Sequence, residues 1–432
     1  MQGMQGMKNH RAAFRMGPAR LGAGVMALLA AAIPVGMAEA KEAPTVKSPW
    51  DMAELGKAPK TFPAEGIQAR GVRALFFEGP AFRGKPTRVF AWLALPKVAD
   101  GRKVPGIVLV HGGAGTAFAR WVRQWTARGY AAIAMDTCGR VPKPGKVEPG
   151  LRHRHAGPDG WGGWDQLDGP EKDQWAYHAV ADVILAHSLL RSFPQVDRRR
   201  VGLLGISWGA YLACLAAPAD GRFRFAIPVY GCGYFQEGGS PIYLGQSRAM
   251  GRPAYGRWQR LWDPSRLLGA CRTPMLWIAG TNDLAFSMAS RQRSYRAAKG
   301  AKTLCIRVRW THNYQTPWQA KEIPVFADGL VGRDVQPLPR ITRQGRTGRD
   351  VWVRFSSKTP IVRARLCTTR DAGVWNGRKW LSRAAEVDAA KGKATATLPD
   401  GVRVYYLNLT DERGLVVSGE HEELDPAAEG RR

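Results

Sequence analysis

The sequence predicts a doubly wound, mostly parallel α/β sheet followed by a small, sandwich-like all-β domain. Three observations carry that expectation. From residue 71 to 336, short apolar runs alternate with helix-like segments, the pattern of strands joined by crossover helices. One run turns straight into an Ala/Leu-rich segment through Gly205-Ile206-Ser207-Trp208-Gly209. After Pro337-Leu338-Pro339 the helical spacing disappears, and alternating segments separated by turns take over across residues 340–419.

In chain order, residues 41–70 are rich in Pro and Lys and read as an extended lead-in. Residues 72–78 and 87–96 alternate apolar and polar side chains around a Gly/Pro turn, which predicts an antiparallel hairpin at a sheet edge. Residues 106–111 are continuously apolar, as in a buried parallel strand, and run into His111-Gly112-Gly113-Ala114-Gly115. A helix over 118–128 and a strand over 130–136 follow, then a long loop over 137–169. Trp175, Ala179, Val183, Ala186 and Leu190 recur at helical spacing, predicting an amphipathic helix over 171–193. Strands are expected at 201–206, 225–230, 273–280 and 304–309, with helices after 208 and over 288–298, and an irregular stretch up to residue 270. In the β domain, strands are expected at 350–355, 361–368, 393–398 and 402–409, before a charged, frayed tail over 420–432.

At 432 residues, 45% hydrophobic and 23% charged, the chain has the composition of a globular protein of two domains. Its first 40 residues differ. Arg11, Arg15 and Arg20 precede a Gly/Ala-diluted apolar run that ends in Ala38-Glu39-Ala40, the layout of a cleaved signal peptide and so of an exported protein. Nothing later is long and apolar enough for stable membrane insertion. The net charge of +29 invites a nucleic-acid reading, yet the cations are scattered and no nucleic-acid motif is present. The charge instead suits solubility and attraction to acidic polymers. Six cysteines without C-x-x-C spacing exclude zinc-ribbon and thioredoxin-like sites. Cys214 and Cys232 are either a disulfide or two buried thiols. Composition leaves the oligomeric state open.

The chemistry centres on Ser207. A strand that turns at once into a helix exposes the middle residue, and glycines two before and two after leave room for the turn. A serine hydroxyl needs a base, and the base a carboxylate to hold its tautomer. Two histidines lie downstream, His312 and His421; His312 directly follows the last apolar strand, whereas His421 is assigned to the tail. Asp283 follows the strand that ends at Gly280, where sites on such sheets gather, while Asp263 reads as a turn or helix cap. The expected set is therefore Ser207, Asp283 and His312. The oxyanion hole is expected from the N–H of Trp208 and of Gly113, with Gly112 or Ala114 as one-residue alternatives. His111 is read as a brace for that loop, and His178 and His187 as structural histidines. His153 and His155 form H-x-H without an accompanying ligand cluster, so no metal or other cofactor is expected. Trp161 and Trp164, in the long loop, either line a substrate site or pack the loop down.

These motifs, in this order, resemble the α/β-hydrolase superfamily, and more narrowly the acetyl xylan esterase and dienelactone-hydrolase-like group related to the prolyl oligopeptidase catalytic domain. The resemblance covers residues 70–335. It implies Ser207 as nucleophile, His312 as base, Asp283 as acid, and an acylated carbohydrate or small ester as substrate. Two positions depart from the group: Ala114 interrupts the glycine run, and Asn313 follows His312 where many relatives have Gly. The alternatives are a serine peptidase of the prolyl oligopeptidase type and a non-catalytic carbohydrate-binding relative.

Overall fold

The structure, a computed structural model, describes residues 48–99, 101–143 and 150–424. The expected signal peptide lies outside the described residues, as does the chain beyond 424. The elements run α1 (Met52–Leu55), β1 (Thr61–Pro63), β2 (Arg73–Phe82), β3 (Lys85–Ala94), β4 (Val104–Val110), α2 (Ala119–Ala127) and β5 (Ala131–Met135). A short pair, β6 (Arg140–Val141) and β7 (Leu151–Arg152), sits in the long loop before α3 (Trp175–Ser192). Then come β8 (Val196–Ile206), α4 (Trp208–Ala219), β9 (Ala226–Val229), α5 (Pro241–Met250), α6 (Arg252–Trp262), α7 (Ser265–Leu268), β10 (Met275–Gly280), α8 (Met288–Ala297), β11 (Lys302–Arg307) and α9 (Glu322–Leu330).

The expected sheet is there, nine strands in the order β1-β2-β3-β5-β4-β8-β9-β10-β11. β1, β2, β3 and β5 pair antiparallel in turn, and the remaining neighbours are parallel. Chain direction across the sheet reverses between β4 and β8. The loops leaving those two strands, which carry His111-Gly112-Gly113 and Ser207, therefore meet in the crevice where ligands of such sheets bind.

Two expectations change. The segment 171–193 is a 3₁₀ turn followed by α3, and α3 is buried from Trp175 to Leu190, not amphipathic. The lead-in explains why: α1 and its neighbours cover the outer face, with Trp50 Nε1 donating to Tyr177 O and Ser188 Oγ to Leu55 O. A helix wrapped by protein on all sides must be apolar all round. The stretch before residue 270, read as irregular, is instead α5, α6 and α7. Tyr255, Trp258 and Trp262 place one apolar face of α6 in the core.

The β domain consists of β12 (Arg340–Thr347), β13 (Asp350–Ser356), β14 (Ile361–Thr369), β15 (Leu381–Asp388), β16 (Lys393–Thr397), β17 (Val404–Asp411), β18 (Val416–Ser418) and β19 (Glu422–Glu423). They form one antiparallel sheet, β12-β13-β16-β15-β14-β17-β18, with β19 also on β17. The sheet curls until its ends approach, where Gln344 exchanges hydrogen bonds with Glu420 across the gap. Its core includes Val351, Val353, Leu366, Leu407 and Leu409. The described residues all belong to one compact unit. β18 runs beside β11, the last strand of the large sheet, and Ser418 Oγ receives the Ile306 N–H at 2.7 Å while Asn408 Nδ2 donates to Ile306 O at 3.0 Å. Side chains of the β domain thus satisfy backbone groups that an open sheet edge leaves exposed.

Candidate active site

The strand β8 ends at Ile206 and α4 begins at Trp208, so Ser207 is the whole turn. Its φ of 60° and ψ of −118° are strained for a residue with a Cβ. Surrounding groups hold it there: Ser207 N–H donates to Val229 O at 2.8 Å, and Ser207 O accepts from Ala210 and Tyr211. The flanking glycines are steric necessities. A Cβ on Gly205 would run into the carbonyl of Gly209, and one on Gly209 into that of Val110.

Three side chains from three loops line up. His312 Nε2 lies 2.9 Å from Ser207 Oγ, and His312 Nδ1 lies 3.1 Å from each oxygen of Asp283. Asp283 is buried, and its Oδ1 accepts the N–H groups of Ala285 and Phe286 at 2.8 Å. The guanidinium of buried Arg291 stands 3.5 Å from Oδ2. These donors offset the cost of burying a carboxylate. The ring of His312 is stacked on Tyr230 at 4.6 Å, and Tyr230 donates its hydroxyl to Thr311 O at 2.7 Å. Asp263 is occupied elsewhere, accepting from Tyr234, Phe235 and Ser265 main-chain N–H groups. His421 is not in a frayed tail: it is buried against Trp375, and β19 directly after it pairs with β17.

On the other side of Ser207, Trp208 is the first residue of α4, so its N–H has no acceptor within the helix. The Gly112 peptide carbonyl meets His111 Nδ1 at 2.8 Å. The Thr137 N–H meets His111 Nε2 at 3.2 Å. Pinning the Gly112 carbonyl directs the opposite end of the same peptide, the Gly113 N–H, away from His111. Tyr314 pins the next peptide by donating to Gly113 O at 2.7 Å.

Trp161 and Trp164 form the neighbouring wall. A Cβ placed on Gly113 would sit 2.9 Å from Trp208 Cδ1 and 3.9 Å from Trp161 Cδ2. Trp164 lies 4.0 Å from Trp258 and meets Trp208 edge-on at 6.0 Å. Phe235, Tyr243 and Phe286 complete an aromatic box between Trp208 and His312.

The remaining candidates go elsewhere. His153 packs on Phe76, and the carbonyl of His155 accepts from Arg88. Among the described residues no group of three or more His, Cys, Asp or Glu can hold a metal ion. His187 meets Asp220 at 2.8 Å. All six cysteines are buried and free, including Cys214 and Cys232. His178 packs edge-on against Phe82, and its Nε2 is buried without a partner among the described residues. Burial pushes its pKa from 6.5 down to about 4. The unfolded chain therefore takes up a proton between pH 6.5 and 4 that the fold refuses, so stability is full above that window and falls through it. Urea unfolding at pH 7 and 4.5 should show His178→Phe losing less stability on acidification than the parent, by up to about 1.4 kcal/mol per pH unit. An unchanged slope would remove His178 as a source.

Sequence reasoning missed Tyr230, Arg291, Tyr314 and Asn282. Tyr230 was within reach, because it ends an apolar strand at the same edge as Ser207 and Asp283. Asn282 was not. Its Nδ2 donates to the carbonyls of Asn376 (3.0 Å) and Arg378 (2.7 Å), so a loop of the β domain is fastened to the residue beside Asp283.

A switch-point crevice with a serine on a strand-to-helix turn defines the class: an α/β-hydrolase. Residues 59–234 match the acetyl xylan esterase (AXE1) family and residues 167–313 the prolyl oligopeptidase family. Each match spans less than half of the chain; they make it similar to the acetyl xylan esterase and prolyl oligopeptidase families, and with the fold they indicate a serine carboxylic-ester hydrolase. Among solved structures it is similar to the acetyl xylan esterase from Paenibacillus sp. R4, with 19% identity, a TM-score of 0.52, and coverage of 64% of this chain and 91% of that one. For acetyl xylan esterase 1 from Thermoanaerobacterium sp. JW/SL YS485 the values are 16%, 0.52, 66% and 94%. A Pyrococcus horikoshii acylaminoacyl peptidase matches at 18% identity and a TM-score of 0.47, over 62% of this chain and 43% of its own.

Proposed function

We propose that this protein is an exported esterase that removes short acyl groups, acetyl above all, from acylated carbohydrate. The observation that carries the reading is the unbroken line from Ser207 Oγ through His312 to Asp283 beside a box of aromatic rings. Ser207 Oγ attacks the acyl carbon as His312 Nε2 takes its proton, and the developing oxyanion accepts from the Trp208 and Gly113 N–H groups. The ester C–O bond breaks as His312 returns that proton to the departing sugar oxygen. Water, deprotonated by the same nitrogen, then attacks the acyl-enzyme and frees the acid and Ser207. Asp283 holds His312 in the tautomer with its proton on Nδ1. Trp161 offers a ring to a sugar while Trp164, packed on Trp258 and Tyr255, backs the wall, and the Trp208, Phe235, Tyr243 and Phe286 rings favour a short acyl chain. The basic start and Ala38-Glu39-Ala40 motif support export.

Hydrolysis of p-nitrophenyl acetate and butyrate, followed by acetylated xylan, tests the reading. Acetate should be favoured over butyrate by about tenfold or more, the scale of a couple of methylenes in a tight pocket. A preference for butyrate would overturn the short-acyl part. A peptidase is the second reading, supported by the prolyl oligopeptidase family match. Such enzymes gate their site with a β-propeller. Here residues 48–99 before β4 form only α1 and β1–β3. Release of p-nitroaniline from a peptide anilide faster than ester turnover would favour that reading.

A further inference from the structure

Two grooves open at the N-terminal ends of β8–β11, the end of the sheet remote from Ser207. The first, of about 520 Å³, is lined by Arg191, Arg198, Arg199, Arg222, Arg224 and Arg272, and by no carboxylate among the described residues. Among the described residues only Arg222 of this set is hydrogen-bonded to a carboxylate, bidentate on buried Asp220. Arg191, Arg198 and Arg224 each give one Nε–H to a main-chain carbonyl, an acceptor without formal charge, and Arg191 also feels a nearby carboxylate, that of Asp220. The side chains of Arg199 and Arg272 make no hydrogen bond among the described residues, though the charge of Arg199 acts on nearby Asp197. Burial and the nearby charge of Arg222 hold Arg191 below its ordinary pKa. The second groove, of about 610 Å³, lies between β11 and the β domain, with Lys299, Lys302, Arg340 and Arg343 on its walls. Its one carboxylate, Glu420, already pairs with Arg296 at 2.6 Å. The two grooves adjoin at Cys271, whose carbonyl accepts the N–H groups of Lys299 and Gly300 and whose successor is Arg272.

Like charges gathered in concave surface cost energy that a polyanion relieves, and water-facing guanidinium groups fit carboxylates bidentately. We propose that this continuous basic track is a second binding site, for a carboxylate-bearing polysaccharide such as a polyuronate. The track binds the polymer without cleaving it, because Ser207 lies at the far end of β8, about 25 Å away at the usual rise per residue. Other polyanions fit less well. Single-stranded nucleic acid needs exposed rings for stacking, and the one aromatic side chain lining either groove, Phe223, is 3% exposed. An anionic membrane needs apolar side chains to insert, and none of the exposed large hydrophobic residues lines either groove. The site goes beyond the esterase reading and stands independently of it.

Binding of polygalacturonate at about 150 mM NaCl, where diffuse surface attraction is largely screened, tests the site. The triple variant Arg199→Gln, Arg272→Gln, Arg343→Gln should lose about tenfold or more in affinity. A control triple, Arg257→Gln, Arg365→Gln, Arg383→Gln, makes the same change in net charge at exposed positions outside both grooves. It should lose less than about threefold, and both triples should keep the parent rate on p-nitrophenyl acetate. Equal losses in the two triples would reduce the attraction to net charge and overturn the site. So would equal affinity for neutral xylan, absence of binding by the parent protein, or tighter groove-dependent binding to DNA or to anionic vesicles. Loss of esterase activity in the parent protein would leave this result readable, because polymer binding is measured directly.

Discussion

Replacing Ser207 by alanine is expected to lower kcat on p-nitrophenyl acetate by about 10⁶-fold, to the residual rate that binding and oxyanion donors alone supply. The geometry makes the loss specific to one oxygen. Ser207 Oγ is the atom 2.9 Å from His312 Nε2, and the strained φ that exposes it serves no packing purpose. Asp283→Asn should cost less, about 10⁴-fold, because the amide can keep the ring in place but favours the wrong tautomer. His312 would then present a proton, not a lone pair, to Ser207. The double variant should be no slower than Ser207→Ala, since residues acting as a unit do not contribute additively. Single-turnover rates on the acetate ester, with folding checked by circular dichroism, decide the matter. A Ser207→Ala protein that retains even about a hundredth of the parent rate would remove Ser207 from the role of nucleophile.

The sequence reading and the structure agree where chemistry is written into local pattern. The runs that became β4, β5, β8 and β10 are buried on both faces, so their apolar continuity marks them wherever they fall. Ser207 and Asp283 each follow such a run and His312 follows the part-buried edge strand β11, and strand ends converge at a switch point whatever the loops do. Helices α5 and α6 were hidden by Gly245, Pro253 and Gly256, which lower helix propensity, although Tyr255, Trp258 and Trp262 carried the right spacing. Strands β12 and β15 escaped for another reason. Both are largely exposed, so their side chains, Arg343 or Glu386 for example, show no apolar alternation. The buried character of α3 depends on Trp50 and α1 lying over it, a tertiary fact that no window around residue 180 contains.

The contact least visible in sequence carries the second large effect. Trp375→Ala is expected to destabilise the protein by about 3–5 kcal/mol and, in molecules that remain folded, to lower kcat with little change in KM. Trp375 is buried against Met288 of α8, beneath the Arg378 guanidinium at 3.7 Å and beside His421 at 5.3 Å. It sits immediately before Asn376, whose carbonyl, with that of Arg378, holds Asn282 in place. Asn282 in turn precedes Asp283, so slack in the clasp becomes misplacement of the carboxylate under His312. Asn282→Ala separates the two consequences. It removes the clasp without opening a large cavity, so it should lower kcat while costing only about 1–3 kcal/mol of stability. If the β domain were an appendage, Trp375→Ala would melt it in a transition of its own and leave ester hydrolysis at the parent rate. The shared hydrogen bonds at Ile306 and Asn282 argue for one cooperative transition instead, with activity and stability lost together.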